Sequence, residues 1–205
     1  MHGGFTLEDW QADGALHTPD MKWMLLALSL AAVSLNAQET DHKQEVSKYF
    51  AGLTLTDQDG KRVDLADLMK GHTVVIYTFF AGCKASCPVM AHSLAELQPR
   101  FADRLGKDLR FISITVDPEN DTPEKLKAYA TRNLAKRGWS FLTGSRAEVD
   151  ATLRRIGQYA PSPDEHQNTM LIGNDTTGLW MKAQGLAKPK DLGDIIQKVA
   201  DGEQP

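Results

Sequence analysis

The chain is short of several things, and each shortage narrows the field. It has only two cysteines, too few for a disulfide framework or a four-thiolate zinc site. It has no basic surplus: 23 Lys and Arg stand against 27 Asp and Glu, a formal net charge of −4. Nothing in that balance would neutralise a phosphate backbone, so nucleic acid is excluded as a partner. No apolar run approaches the twenty or so residues of a spanning helix. Internal repeats and low-complexity tracts are also missing, and nine prolines and sixteen glycines in 205 residues is ordinary globular usage. What remains is one domain of moderate size with enough chain to bury a full core.

The longest apolar run lies near the start. Lys22 precedes thirteen apolar or small residues from Trp23 to Leu35, and Leu35-Asn36-Ala37 ends the run before Gln38. A short positive region, a 7–15-residue apolar stretch and a small-residue cleavage site make the pattern of a secretory signal peptide. The competing reading is a buried N-terminal helix. Met21 is the expected true start, with residues 1–37 an upstream extension plus signal, 38–50 a tail and 51–205 the folded domain. The run is not followed by a cysteine, which speaks against a lipid anchor. Cleavage removes Lys22 and four acids (Glu8, Asp9, Asp13, Asp20), leaving 22 basic against 23 acidic residues. The expected product is a near-neutral, exported, periplasmic domain, soluble once the signal is cleaved and membrane-tethered if it is not.

The rest alternates strand and helix patterns. Leu53-Thr54-Leu55-Thr56 and Arg62-Val63-Asp64-Leu65 flank Asp59-Gly60, a pair suited to the positive φ angles of a tight turn, and predict a hairpin. Residues 72–80 form a continuous apolar run rich in Val, Ile, Tyr and Phe, the pattern of a buried central strand. Helical spacing of Met90, Leu94, Leu97 and Phe101 predicts a helix over 88–104. A second buried strand is expected at 109–116. A helix from Pro123 to about residue 136 follows, with Thr122 as its N-cap. Then come a strand at 139–142, a helix at 147–157, strands at 169–172 and 179–183, and a closing helix at 189–200. The fold class is therefore α/β: a mixed central β-sheet flanked by helices, with an N-terminal β-hairpin. Cysteines at the end of the first central strand, where a helix begins, make the arrangement thioredoxin-like, and chemistry in open α/β sheets gathers at such strand ends.

Those cysteines, Cys83 and Cys87, are four residues apart in Phe79-Phe80-Ala81-Gly82-Cys83-Lys84-Ala85-Ser86-Cys87-Pro88. In a helical turn they would share a face and converge on one metal ion or close a disulfide. A helix N-terminus at Cys87 and the charge of Lys84 would lower thiol pKa, which serves nucleophile and metal ligand alike. A purely structural disulfide over so small a loop would constrain little chain entropy. Of six histidines, His166 stands apart. It occupies a polar loop, Pro161-Ser162-Pro163-Asp164-Glu165-His166-Gln167-Asn168, just before a strand, and in a thioredoxin-like fold that loop faces the first strand-to-helix turn. An isolated loop histidine is usually a solvated side chain; its place in this fold is what makes it a candidate ligand. His92, five residues beyond Cys87, lies off the thiol face and is read as surface or packing. Two thiolates and an imidazole form a soft three-ligand set that favours Cu(I), with Cu(II) second. Zinc would want a fourth protein ligand or a marked general base.

The Cys83-x-x-x-Cys87-Pro88 motif after an aromatic strand resembles the Sco/SenC family, copper proteins of cytochrome c oxidase assembly. So does Ile112-Ser113-Ile114-Thr115-Val116-Asp117-Pro118-Glu119-Asn120-Asp121-Thr122-Pro123-Glu124, and so does Trp139 through Leu142-Thr143-Gly144 followed by a helix and then His166. The likeness spans roughly residues 50–200. Lys84-Ala85-Ser86 and Glu165 depart from the acidic Cys loop and the Asp-His pair common in the family. The resemblance implies a thioredoxin fold and copper held by Cys83, Cys87 and His166. It implies a metallochaperone, rather than an enzyme, delivering copper to the oxidase subunit that carries the dinuclear copper site. Another copper donor or a thiol reductase would be a further partner, and the protein itself would be a monomer. The alternative is a periplasmic thiol–disulfide oxidoreductase with Cys83 and Cys87 as its redox-active pair, although such sites more often use Cys-x-x-Cys. A peroxidase of this fold would need Pro and Thr at set spacings before its cysteine, and neither is there. A bland interaction domain would leave the thiols and His166 unexplained.

Overall fold

The computed structural model describes residues 49–203. The proposed extension, signal and most of the tail lie outside them. Seven strands form one sheet in the order β2-β1-β5-β4-β3-β6-β7. They are β1 (Thr54–Asp57), β2 (Arg62–Asp64), β3 (Thr73–Phe79), β4 (Leu109–Thr115), β5 (Trp139–Thr143), β6 (Thr169–Asn174) and β7 (Leu179–Gln184). The helices are α1 (Leu65–Met69), α2 (Cys87–Leu97), α3 (Pro123–Arg132), α4 (Arg146–Arg155) and α5 (Pro189–Ala200). β3, β4 and β5 run parallel, while β1–β2, β1–β5, β3–β6 and β6–β7 pair antiparallel. This is the mixed, helix-flanked sheet with an N-terminal hairpin that the sequence predicts.

β3 sits between β4 and β6, and all seven of its residues are buried. A strand covered on both faces has no use for polar alternation, which is why it reads as one apolar run. Its side chains still alternate between two cores. Val75, Tyr77 and Phe79 face Met90, Leu94 and Leu97 of α2, Tyr129 of α3 and Leu192, Ile196 and Val199 of α5. Val74 and Ile76 join Leu65 and Met69 of α1 and Val149 and Leu153 of α4 on the other side.

Several boundaries differ from the sequence reading, each for a physical reason. The five-residue α1 is too short to show periodicity; its signal is Asp64, whose side chain accepts from the Ala66 N–H. α2 starts one residue earlier and stops at Leu97, because Pro99 has no N–H to continue the ladder. Phe101 is buried as expected, but in the turns that follow. α3 ends at Arg132 rather than near residue 136, since Asn133 closes it and exposed Leu134 takes a φ of 54°. In the hairpin only Gly60 adopts positive φ, at 78°. Asp57 stabilises that loop instead, accepting from the N–H groups of Asp59 and Lys61 at 2.9 Å each. Thr122 and Pro123 do open α3 as cap and first residue, Thr122 accepting from Lys125 N.

α4 begins with a full capping box, in which Ser145 and Glu148 satisfy each other's backbone N–H groups. Arg62 of β2 pairs with Glu148 and, with Ser145, holds that carboxyl down at about 2. Ser145→Ala should therefore cost about 1 kcal/mol and lower Tm by roughly 2–4 °C. Thermal unfolding by circular dichroism measures both; an unchanged Tm would show that the box contributes nothing.

Candidate metal centre

Two neighbouring chain turns build the site. β3 exits the sheet at Phe79, and the chain turns at once: the Cys83 N–H donates to the Phe80 carbonyl at 3.1 Å. Cys83 stands half-exposed in that turn, and Cys87 is the fully buried first residue of α2. The residues between them are not helical, so the thiols converge through the turn rather than along a helix face. The other side comes from β6. Its antiparallel register with β3 runs to Tyr77 and Met170, so the loop leading into β6 lies at the end of the sheet where β3 exits. A 3₁₀ turn at Pro163–Glu165 delivers that histidine, whose N–H donates to the Pro163 carbonyl.

The three side chains singled out in the sequence are brought together. His166 Nε2 lies 3.2 Å from Cys87 Sγ. The donor atoms of Cys83, Cys87 and His166 all lie within 4.8 Å of one another, the single such group of His, Cys, Asp or Glu among the described residues. A trigonal ion with bonds of about 2–2.3 Å holds its donors about 4 Å apart, so the set fits one ion with little movement. The Nδ1 edge of His166 faces the Gln167 carbonyl at 3.3 Å, and Phe80 packs edge-on against the ring with centroids 5.9 Å apart. With its Nδ1–H so engaged, the ring presents Nε2 as the donor. Both cysteines are free thiols.

The two thiols are electrostatically unequal. Burial, helped by the hydrogen bond with Cys83, pushes Cys87 up to about 12. Burial also acts to raise Cys83, but the Cys87 thiol and the backbone N–H groups of Cys87, Ala85 and Ser86 outweigh it and bring Cys83 below the ordinary cysteine value. The Cys87 N–H at the start of α2 acts to lower both thiols, but at Cys87, where the sequence suggested a lowered value, burial outweighs it. Ser86, the N-cap residue, makes no side-chain cap bond; its backbone N–H and that of Ala85, in the turn before α2, act with the Cys87 N–H on the Cys83 sulfur. Lys84 lines the cleft over the site but is not among the groups that shift either thiol. Burial holds His166 below the usual imidazole value, with the Gln167 carbonyl and Asp164 opposing, so the ring is neutral and fit to ligate near pH 7.

His92 is exposed on α2 and paired with Glu96 at 3.2 Å, well away from ligand duty. Sequence reasoning missed the supporting residues: Phe80 against the imidazole, Gln167 at its Nδ1, and Asp121, whose carboxylate reaches the Ala81 N–H at 2.9 Å. Only Asp121 had a usable signal, since it falls in the acidic stretch after β4.

Comparison with known proteins places this geometry. The SCO1/SenC family model matches residues 38–189. The SCO1 protein homolog of Bacillus subtilis (strain 168) is 40% identical over 156 residues, covering 71% of this chain and 78% of that protein. Copper-bound ScoI from Arabidopsis thaliana superposes with a TM-score of 0.61 at 25% identity, over 72% of this chain and 96% of that one. BsSco is described as a member of the Sco family of cytochrome c oxidase assembly proteins with a disulfide switch. It superposes with a TM-score of 0.60 at 27% identity, over 72% of this chain and 91% of that one. With its thioredoxin-like fold and a match running through most of its length, the chain belongs to the SCO1/SenC family.

Proposed function

We propose that this protein binds one copper ion through Cys83, Cys87 and His166 and passes it to the dinuclear copper site of a cytochrome c oxidase subunit during oxidase assembly. The observation that carries the reading is the convergence of two sulfurs and one imidazole nitrogen beside an open cleft that Cys83 and His166 line. Soft thiolates suit Cu(I) and the imidazole completes a trigonal set, with Cu(II) the second choice. The copper-bound relative and the oxidase-assembly relative support the same reading. Binding needs the pair reduced, because a disulfide sulfur is no thiolate ligand. Transfer proceeds by ligand exchange: an acceptor thiolate enters over half-exposed Cys83 while buried Cys87 still holds the ion.

A second reading has its own observation. An accessible thiol of lowered pKa beside a buried one of raised pKa is the division of labour of a redox pair. The Cys83 thiolate would attack a target disulfide and release one target thiolate. Cys87, losing its proton, would then resolve the mixed disulfide and release the second. The target gains two electrons, this protein keeps the disulfide, and a thiol reductase restores it. The upstream segment with Lys22 and its apolar run supports export to the periplasm with cleavage after Ala37.

Four outcomes test these proposals. Copper titration of the reduced protein should give one ion per chain. Cys83→Ser, Cys87→Ser and His166→Ala should each weaken binding by several orders of magnitude, about a third of a metal-site free energy of roughly 10–16 kcal/mol. His166→Ala should also fail to restore oxidase activity in a strain lacking the gene while leaving model-disulfide reduction unchanged; full restoration would favour the reductase. Iodoacetamide labelling across pH should modify Cys83 at a lower pH than a free thiol, whereas Cys87 stays protonated and slow until strongly alkaline solution. Equal profiles would contradict the asymmetry. Mass spectrometry of native protein should find an N-terminus at Gln38, and a chain retaining Trp23 in the membrane fraction would overturn export with cleavage.

A further inference from the structure

We infer that Asp121 is a positioning residue for the metal loop: its buried carboxylate, accepting from the Ala81 backbone and the Thr115 hydroxyl, fixes the turn from which Cys83 projects. Asp121 is only 2% exposed, unusual for an acid with no salt-bridge partner among the described residues. Its Oδ2 accepts from Ala81 N at 2.9 Å and from Thr115 Oγ1 at 2.6 Å. Ala81 is a corner residue of the turn that the Cys83 N–H closes onto the Phe80 carbonyl. Thr115 is the last residue of β4 and pairs in register with Phe79, the last of β3. Two parallel strands therefore release their chains side by side, and Asp121 ties the second exit to the first. The tie is doubled behind it: Val116 N donates to the Phe79 carbonyl at 2.8 Å, Asp117 N donates to Thr115 Oγ1 at 2.9 Å, and Asp121 N donates to the Asp117 carbonyl at 2.9 Å.

The role calls for an acceptor oxygen, not a charge. Burial favours the protonated acid, with the Thr115 and Ala81 bonds pulling the other way, so the negative charge is a liability that the fold tolerates. An asparagine presents the same acceptor without that liability; an alanine leaves the Ala81 N–H with no partner and frees the turn. A freed turn exposes Cys87, which is fully buried behind it, and separates the sulfurs. The inference rests on the copper reading for its affinity readout, but thiol accessibility needs no metal.

The experiment takes the reduced full chain as wild type, Asp121→Ala, Asp121→Asn and Ser145→Ala. Peptide mass spectrometry follows the iodoacetamide rates of Cys87 and Cys83 at fixed pH, and competition titration follows Cu(I) affinity. In Asp121→Ala the Cys87-to-Cys83 rate ratio should rise about tenfold and Cu(I) affinity fall about tenfold, the scale of one lost buried hydrogen bond. Asp121→Asn should keep both within about threefold of wild type, since its oxygen still accepts. Ser145→Ala destabilises at a distance and should leave the ratio alone. The inference falls if Asp121→Ala keeps the wild-type ratio, if Ser145→Ala moves it as far, or if Asp121→Asn is as impaired as alanine. Should Asp121→Ala fail to fold, Thr115→Val removes one of the two bonds: a raised ratio upholds the inference and an unchanged one overturns it. If wild type binds no copper, the proposed function fails while the thiol ratio still decides this point.

Discussion

The antiparallel pairing of β6 with β3 is the constraint on which the site depends. β3 delivers both cysteines from its C-terminal end, and β4, running parallel, delivers Asp121 from the same end. A third parallel neighbour would have placed its preceding loop at the opposite edge of the sheet. Because β6 runs the other way, the residues that lead into it arrive where β3 departs, and His166 meets Cys87. Residues 79 positions apart in sequence are joined through five ladder pairs. That ladder lies inside two hydrophobic layers, so slippage by one residue would turn Met170 and Ile172 out of one core and Leu171 out of the other.

Burial then divides the labour between chemically identical groups. Cys83 and Cys87 have the same side chain and opposite pKa shifts: burial raises Cys87, whereas the Cys87 thiol and the N–H groups of Cys87, Ala85 and Ser86 bring Cys83 down. Of the N–H groups that bring Cys83 down, only that of Cys87 belongs to α2, while those of Ala85 and Ser86 lie in the turn before it. Pro88 fits the same scheme, since at the first turn of a helix it surrenders an N–H that had no intrahelical partner.

Much of this was legible in the sequence because it follows from local rules. The seven-residue apolar run of β3, the Thr122-Pro123 helix start and the closing helix at Pro189 all read correctly from burial and capping chemistry. The convergence of Cys83, Cys87 and His166 was legible only through topology, since nothing local in the loop around His166 says that it meets two thiols. What stayed hidden was of two kinds. α1 spans fewer than two turns and carries no period. The inequality of the thiols and the tie from Asp121 to Ala81 depend on which N–H groups a given atom faces, and spacing along a chain carries no record of that.

The full burial of Cys87 beside a half-exposed Cys83 also imposes an order in time. Solvent and any visiting group reach the donor set through the cleft between Gly82 and Asn168, so they meet Cys83 and His166 before Cys87. An ion entering by that route would engage the outer donors first and the inner sulfur last, and a competing base would likewise reach the inner sulfur last. A site with three equally open donors would yield a bound ion to any competing base in solution. One donor kept out of reach would make departure of a bound ion a stepwise event.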